Sequence, residues 1–333
     1  MSSLGLSLAL AVGTVSSQQP ALTSTSSRVT DSAQHRVAMV TVKGVQVPYL
    51  DWGGAGVALV FIPGMGHSAH VYDDFAPRFI DRFRVVGVTR VGFGESDQPE
   101  RDGYDLASRV AHIRAALDEL KVARALLVGH SLGGDEITAF AGAYPERTLG
   151  VIYLDAGLDH TVALKWVEGL ADIIRAEPRP SAADRANAQA YREFYRRIRG
   201  IRLPIGEVLA TLRTDAAGVV VGQRASQNVF AQTVAATAPP NFKKVQAPVL
   251  SLYSDDTPLG VLPWLRDAPA LRARADTLLA KVEPEVETER ARFAQDVKGA
   301  QIFTYPANHY QFLTEPDDTE RRMRVFLSSL STR

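Results

Sequence analysis

The sequence contains no cysteine in its 333 residues. This absence excludes disulfides, thiol nucleophiles and cysteine metal sites, and it is compatible with a reducing or an oxidising compartment. Net charge is also absent, because 37 basic residues balance 37 acidic ones. The composition therefore favours neither nucleic acid nor an anionic membrane as a partner. A hydrophobic content of 46% is typical of a globular protein, either one large domain with an insertion or two modest domains.

The N-terminal apolar run, residues 4–13, is too short to cross a bilayer, so stable membrane insertion is not expected. Val15 and Ser17 follow it as small residues suited to a signal-peptidase site, although no Lys or Arg precedes Arg28. We expect a signal-like, disordered segment over residues 1–33 and export to the periplasm or the medium. A floppy terminal tail on a cytoplasmic protein is the alternative.

Short apolar, β-branched runs alternate with helical patterns along the chain. The hydrophobic stripe of Leu106, Val110, Ile113 and Leu117 is typical of such a helix. This alternation predicts an α/β fold with a mostly parallel sheet of eight strands and with ligands at the carboxyl ends of those strands. The strand-like runs cover residues 38–42, 45–50 (a hairpin with the first), 57–62, 84–88, 125–128, 151–154, 248–253 and 301–305.

The alternation stops in the helix-rich stretch 156–246, which contains no convincing buried strand. We expect this stretch to form a helical cap between a first core part, residues 34–155, and a second, residues 247–333. The aromatic residues of the cap are expected to pack onto the core, with one or two lining a pocket. Its arginines are more typical of a solvated helix face than of a carboxylate clamp. These residues are Trp166, Tyr191, Phe194 and Tyr195, and Arg192, Arg196, Arg197, Arg199 and Arg202.

The stretch GHSLG, residues 129–133, lies directly between a predicted strand and a predicted helix. A G-x-S-x-G sequence in that context predicts a strained turn that lifts the hydroxyl of Ser131 out of the sheet. The same turn leaves the backbone amide of Leu132 facing developing negative charge. An inert serine in a Gly-rich turn is the alternative.

A serine hydroxyl needs a base to become nucleophilic, and the chain offers seven histidines. His309 follows the last predicted strand in a loop from which it can reach Ser131, and we predict it to be the base. His130 is expected to point into the packing, and His112 lies beside the apolar stripe of its helix. His67, His70 and His160 lie in loops that can approach the site, and His35 lies near the N-terminal segment.

An acid is needed to orient the imidazole of His309. Asp255 and Asp256 follow the strand 248–253, and Asp155 follows the strand 151–154. All three are also compatible with turn or cap roles. We rank Asp256 first and Asp155 second.

The order Ser131, acid, His309, with eight strand-like runs and a helical insertion, resembles the α/β-hydrolase superfamily in its lidded serine esterase/lipase-like branch. The resemblance extends over nearly all of the chain from Ala38 onward. It implies an acid after the strand that ends at Tyr253, which supports Asp256, although some members carry the acid at the position of Asp155. It also implies that FIPGMG, residues 61–66, is the oxyanion loop, so that Met65 donates the second backbone amide beside Leu132.

TRVGFGESDQP, residues 89–99, resembles the Asp-x-Arg-Gly-x-Gly-x-Ser loop of the superfamily and keeps Arg90 and Ser96. Two departures bear on the bracing of the oxyanion loop. Pro63 stands where the superfamily has a histidine, and Thr89 and Val91 replace an acid and a glycine. The loop must therefore be braced differently here.

Together these features predict a serine hydrolase that cleaves a small-molecule carboxylic ester through an acyl-enzyme on Ser131, with no metal or organic cofactor. The same triad is also suited to C–C bond hydrolysis, perhydrolysis or acyl transfer. A ligand-binding protein that keeps the fold without catalysis is a further alternative. The oligomeric state is left open.

Overall fold

The computed structural model describes residues 29–255 and 257–330. Residues 1–28 of the predicted signal-like segment 1–33 lie outside this part, and so does Asp256. The strands are β1 (Arg36–Val42), β2 (Val45–Gly53), β3 (Ala58–Ile62), β4 (Arg84–Val88), β5 (Ala125–His130), β6 (Thr148–Leu154), β7 (Leu212–Thr214), β8 (Val220–Gln223), β9 (Val249–Ser254) and β10 (Gln301–Tyr305).

Helices cover most of the connections between these strands. They are α1 (Leu106–Glu119), α2 (Gly133–Ala143), α3 (His160–Gly169), α4 (Ala171–Arg175), α5 (Ala188–Arg199), α6 (Ile205–Thr211), α7 (Gln227–Ala235), α8 (Pro258–Val261), α9 (Pro269–Asp296), α10 (Gln311–Thr314) and α11 (Pro316–Leu330). Short 3₁₀ turns include Ala69–Tyr72 after β3 and Ala76–Phe79 before β4. None of the described helices combines the length and the apolarity that a membrane span requires.

Eight strands form one sheet in the order β1-β2-β4-β3-β5-β6-β9-β10, parallel except at the hairpin β1–β2 and the β2–β4 pair. The predicted fold, a mostly parallel eight-stranded α/β-hydrolase sheet, is confirmed. β3 and β5 are buried along their whole length, because helices and loops cover both faces of the sheet. Aromatic side chains such as Phe61 and Phe75 fill one face, and Phe140 and Tyr153 fill the other.

Helices α3 to α7 fall between β6 and β9, within the stretch where we expect the cap. One detail differs from the prediction, because β7 and β8 form a small antiparallel hairpin inside this stretch. Its strands have three and four residues, and Arg213 and Val221 are exposed, so neither strand has the continuous apolar run that identifies a buried strand.

Candidate active site

Ser131 lies in a tight turn between β5 and α2, as its sequence context predicts. Its φ of 50° is in the left-handed region, which a residue with a side chain adopts only under constraint. A Cβ added at Gly129 would lie 2.7 Å from the carbonyl oxygen of Gly133, and one added at Gly133 would lie 2.5 Å from the carbonyl oxygen of Ile62. Both glycines are therefore required by close backbone packing, and this packing fixes the turn that carries Ser131.

Asp155 is brought beside Ser131 by the register of two neighbouring strands. His130, the last residue of β5, pairs with Leu154, the last residue of β6. The amide of Ser131 continues this ladder and donates to the carbonyl oxygen of Leu154 at 3.2 Å. Asp155 therefore follows β6 directly opposite the turn, with a positive φ of 49° and a buried side chain.

His309 lies in the loop after β10 and contacts Asp155. Its Nδ1 donates to Asp155 Oδ2 at 2.7 Å, and the His309 side chain is buried. The same carboxylate accepts bonds from the Ser254 hydroxyl at 2.6 Å and the Ser254 amide at 3.1 Å. With Nδ1 protonated against the carboxylate, Nε2 of His309 carries the lone pair that a general base needs.

The pKa of Asp155 is lowered. Burial by itself raises the pKa of this carboxyl group, but the bonds from His309 and Ser254 and the charges of His309 and Arg290 outweigh it. The carboxylate is thus held ionised in the interior, where it stabilises a positive charge on His309.

The structure places Asp155, ranked second in the sequence analysis, in contact with His309. Asp256, ranked first, lies outside the described residues. Asp255 is half-buried, and its amide donates to the carbonyl oxygen of Tyr305. Of the candidate aspartates that the structure describes, Asp155 is the one that bonds His309.

The loop with Met65 packs directly against the serine turn. A Cβ added at Gly64 would lie 3.1 Å from the Cβ of Ser131. Within the described part of the chain, the amides of Met65 and Leu132 donate no hydrogen bond. Both donors are available for an oxyanion, and Leu132 is also the N-cap residue of α2.

Arg90 braces this loop in place of the absent histidine side chain. Its guanidinium donates to the carbonyl oxygens of Pro63 at 2.8 Å and Gly64 at 2.9 Å. It also forms a bidentate pair with Glu136 of α2 at 2.5 and 2.8 Å, and both side chains are almost fully buried. The hydroxyl of Thr89 accepts the amide of Ala69 at 3.0 Å. These contacts show how the loop is held although it departs from the superfamily pattern.

His130 is fully buried, as predicted, and it holds the loop that carries His309. Its Nε2 donates to the carbonyl oxygen of His309 at 3.0 Å, and its ring lies 4.5 Å from that of His309 and 4.9 Å from that of Tyr310. Burial, followed by the neighbouring His309 and His67, lowers the pKa of His130 well below its usual range. The ring therefore stays neutral and packs against the ring of His309.

His67 does approach the site, but a buried glutamate and a tyrosine hold its ring. Its Nδ1 lies 2.7 Å from Glu207 of α6, and its Nε2 lies 2.8 Å from the hydroxyl of Tyr310. Ser68 donates to the same glutamate through its hydroxyl at 2.5 Å. This network joins the oxyanion loop, the base loop and the cap. Sequence reasoning missed Glu207, which carries no local signal, and Tyr310, whose only signal is its position after His309.

The remaining histidines lie in other environments. His160 at the start of α3 pairs with Asp135 of α2 at 2.7 Å. His112 is buried on α1, and burial lowers its pKa. His35 and His70, the latter in the 3₁₀ turn Ala69–Tyr72, lie together with ring centroids 4.8 Å apart.

A cavity of about 660 Å³ borders the site through Met65 and Tyr310. Its cap side is lined by aromatic rings and by charged residues. Burial raises the pKa of Glu177 to about 7, although Arg199 lies 2.6 Å away and opposes this shift. Arg196 and Arg197 are exposed and pair with Glu193 and Asp184, as expected for a solvated face. The expectation is wrong for Arg199, which is buried and paired with Glu177. The rings are Tyr191, Phe194, Tyr195 and Phe230, and the lining charges are Arg175, Glu177, Arg179 and Arg185.

Comparisons with known proteins agree with this architecture. A hydrolase of Burkholderia vietnamiensis, named for 2-hydroxy-6-oxononadienedioate and 2-hydroxy-6-oxononatrienedioate, is 36% identical over 137 residues, which is 38% of this chain and 46% of that protein. A non-heme chloroperoxidase of Streptomyces lividans is 33% identical over 121 residues, 35% of this chain and 44% of that protein. Matches of this kind span 30% to 46% of the length of the curated relatives.

Solved structures share the fold over most of the chain. The crystal structure of an E-2-(acetamidomethylene)succinate hydrolase has a TM-score of 0.67 and 19% identity, and the match covers 89% of this chain and 100% of the other. An esterase from a Rhodococcus species has a TM-score of 0.58 and 20% identity, with 89% and 99% covered. The family model described as the alpha/beta hydrolase fold matches residues 57–262. The chain belongs to the α/β-hydrolase family.

Proposed function

We propose that this chain is a serine hydrolase that cleaves a carboxylic ester, with Ser131 as nucleophile, His309 as base and Asp155 as the acid. The observation that carries the proposal is the buried Nδ1–carboxylate bond of 2.7 Å between His309 and Asp155, beside a serine held at a φ of 50°. A buried imidazole with its Nδ1 proton fixed by an ionised carboxylate is prepared to accept a proton on Nε2.

The reaction proceeds through an acyl-enzyme. Ser131 Oγ attacks the ester carbonyl carbon while its proton moves to His309 Nε2, and the amides of Met65 and Leu132 hold the resulting oxyanion. The intermediate collapses, the C–O bond to the alcohol breaks, and the alcohol leaves with the proton from His309. Water then attacks the acyl carbon with His309 again as base, which releases the carboxylic acid and restores Ser131.

Two features favour a second candidate, hydrolysis of a C–C bond in an anionic ketone by the same residues. Arg175, Arg179 and Arg185 line the cavity and suit a substrate with carboxylate groups. The relative from Burkholderia vietnamiensis is named for hydrolysis of two dioates. Both reactions pass through an acyl group on the serine.

The test is a turnover comparison on the full chain. The substrates are 4-nitrophenyl acetate, butyrate and octanoate, a 2-hydroxy-6-oxo dienoate, and hydrogen peroxide with a carboxylic acid. Ser131→Ala is the inactivating variant, and Ser108→Ala on α1, whose hydroxyl donates to Asp105, is the matched control. We expect ester turnover with a burst of nitrophenol, lost in Ser131→Ala and kept in Ser108→Ala. A higher kcat/KM on the dienoate would establish the second candidate, and full activity of Ser131→Ala would refute both.

A further inference from the structure

Four side chains with metal-ligand chemistry converge outside the candidate active site. Asp31 and His35 come from the segment before β1, and His70 and Asp73 come from the 3₁₀ turn after β3 and its C-cap. One nitrogen or oxygen from each residue can be chosen so that all four atoms lie within 4.8 Å of one another.

Nitrogen and oxygen atoms of these residues lie 2.8 to 3.7 Å apart, with a different oxygen of Asp73 nearest each histidine. His70 Nδ1 lies 2.8 Å from Asp73 Oδ2 and 3.7 Å from Asp31 Oδ2. His35 Nδ1 lies 3.5 Å from Asp73 Oδ1. Bonds of about 2.0 Å in a tetrahedron place neighbouring ligand atoms about 3.3 Å apart. Small side-chain movements would therefore complete a set of two imidazoles and two carboxylates.

A separate observation comes from His35. Its side chain is only 6% exposed, yet within the described residues its Nδ1 is a buried nitrogen without a hydrogen-bond partner. Leaving a buried polar atom unpaired is costly, and such atoms occur where an ion or water completes the environment. This nitrogen faces Asp73 from inside the cluster.

Gly206 keeps side-chain atoms out of the cluster, and Trp52 orients one of its carboxylates. A Cβ added at Gly206 of α6 would contact Asp73 Oδ2 and would lie 2.6 Å from Asp31 Oδ2 and 2.8 Å from His70 Nδ1. Any side chain at this position would therefore fill the cluster. Trp52 Nε1 donates to Asp73 Oδ1 at 3.0 Å, an outer contact of the kind that orients metal-binding carboxylates.

We propose that Asp31, His35, His70 and Asp73 form a structural site for a divalent cation and that Zn²⁺ matches this site best. Imidazole nitrogens with carboxylate oxygens suit Zn²⁺, and four protein ligands form the closed set typical of a structural site. The ion would tie the segment before β1 to the turn that follows the oxyanion loop, next to α6 of the cap. The alternative is a metal-free latch made by the His70–Asp73 pair alone.

The test uses the full chain, stripped with a chelator, and measures binding rather than activity. Zn²⁺ affinity is measured by calorimetry, metal content by mass spectrometry after desalting, and the melting temperature with and without Zn²⁺. Co²⁺ is added as a spectroscopic probe of tetrahedral coordination. The variants are His35→Gln and Asp31→Asn, both outside the sheet core, and Gln34→Ala in the same exposed segment is the control.

We expect one equivalent of Zn²⁺ in the wild type and in Gln34→Ala, an increase in their melting temperature, and visible bands on adding Co²⁺. Each cluster variant should bind Zn²⁺ at least tenfold more weakly and lose the melting shift. If one variant fails to fold, the other still decides the result. Absence of binding to the stripped wild type, or equal affinity in the two cluster variants and Gln34→Ala, would overturn the proposal and leave the metal-free latch.

Discussion

Replacement of Asp155 by asparagine should abolish activity while preserving the shape of the site. In the structure the Ser254 amide donates to Oδ1, whereas Oδ2 accepts from both the Ser254 hydroxyl and His309 Nδ1. An asparagine at this position keeps its carbonyl oxygen on the Ser254 amide, which places its NH₂ group against His309. That group can donate only to an unprotonated Nδ1, so the imidazole proton moves to Nε2.

A protonated Nε2 cannot take the proton of Ser131. From this tautomer change we expect kcat to fall by about 10⁴, which corresponds to about 5 kcal/mol of lost transition-state stabilisation. The melting temperature should change little, because the new side chain has the same size, keeps the bond from the Ser254 amide, and can donate to the Ser254 hydroxyl where the carboxylate accepted from it. The assay is steady-state ester hydrolysis together with the rate of labelling by a fluorophosphonate.

Asp256→Asn and Asp255→Asn are the matched controls for this experiment. Since Asp155 already accepts the Nδ1 proton of His309, we expect both controls to keep kcat within about tenfold of the wild type. A loss of 10³ or more in Asp256→Asn, with Asp155→Asn still active, would refute the assignment of the acid and restore the first choice made from the sequence.

Three further perturbations test the supports of the site. Arg90→Lys cannot keep both carbonyl contacts and the bidentate pair with Glu136. We therefore expect the free energy of unfolding, measured in urea, to fall by about 3 kcal/mol, and kcat to fall more than KM changes. Unchanged stability would contradict the bracing role. Gly133→Ala should lower the free energy of unfolding by about 2 kcal/mol or more, because its Cβ would meet a backbone oxygen at 2.5 Å. A gain in stability of about 1 kcal/mol, as helix propensity alone predicts, would contradict this packing argument. The folded pKa of His130 is lowered, so below about pH 6.5 the unfolded chain binds a proton that the folded chain does not. The stability that this group contributes is present above that pH and is lost by about 1.4 kcal/mol per pH unit below it. In urea unfolding between pH 7.5 and 5, the free energy of unfolding of His130→Asn should therefore depend less steeply on pH than that of the wild type. Identical slopes would be inconsistent with a neutral buried ring.

Much of the fold and the centre of the site follow from local sequence signals. Continuous apolar runs identify buried parallel strands, and β5 and β3 are such runs. The two glycines around Ser131 are required by contacts with the adjacent backbone, so the five residues 129–133 are enough to predict the turn. His309 is identified by its position after the last strand of the sheet.

The acid could not be chosen from the sequence because two neighbouring strands, β6 and β9, both end next to aspartates. The choice depends on strand register, which places Asp155 directly opposite the turn of Ser131. This register is set by the pairing of His130 with Leu154, which is known only once β5 and β6 are aligned in the structure.

The supports of the site come from contacts between residues far apart in the chain. Glu207 bonds His67 across 140 positions, and Tyr310 bonds the same ring across 243. Such pairs leave no periodic or spacing pattern. Arg90 was recognisable as part of a superfamily loop, but its role in holding Pro63 and Gly64 became evident only from the geometry.

The most direct test of the central claim is the intact mass of the protein after treatment with a fluorophosphonate, for the wild type and for Ser131→Ala. The account predicts one phosphonyl adduct on the wild type and none on the variant, because only a serine activated by the His309–Asp155 pair reacts at this rate. The same spectrum reports whether the N-terminal residues have been removed, as export would require. An unmodified wild type, or equal labelling of the two proteins, would contradict an activated Ser131.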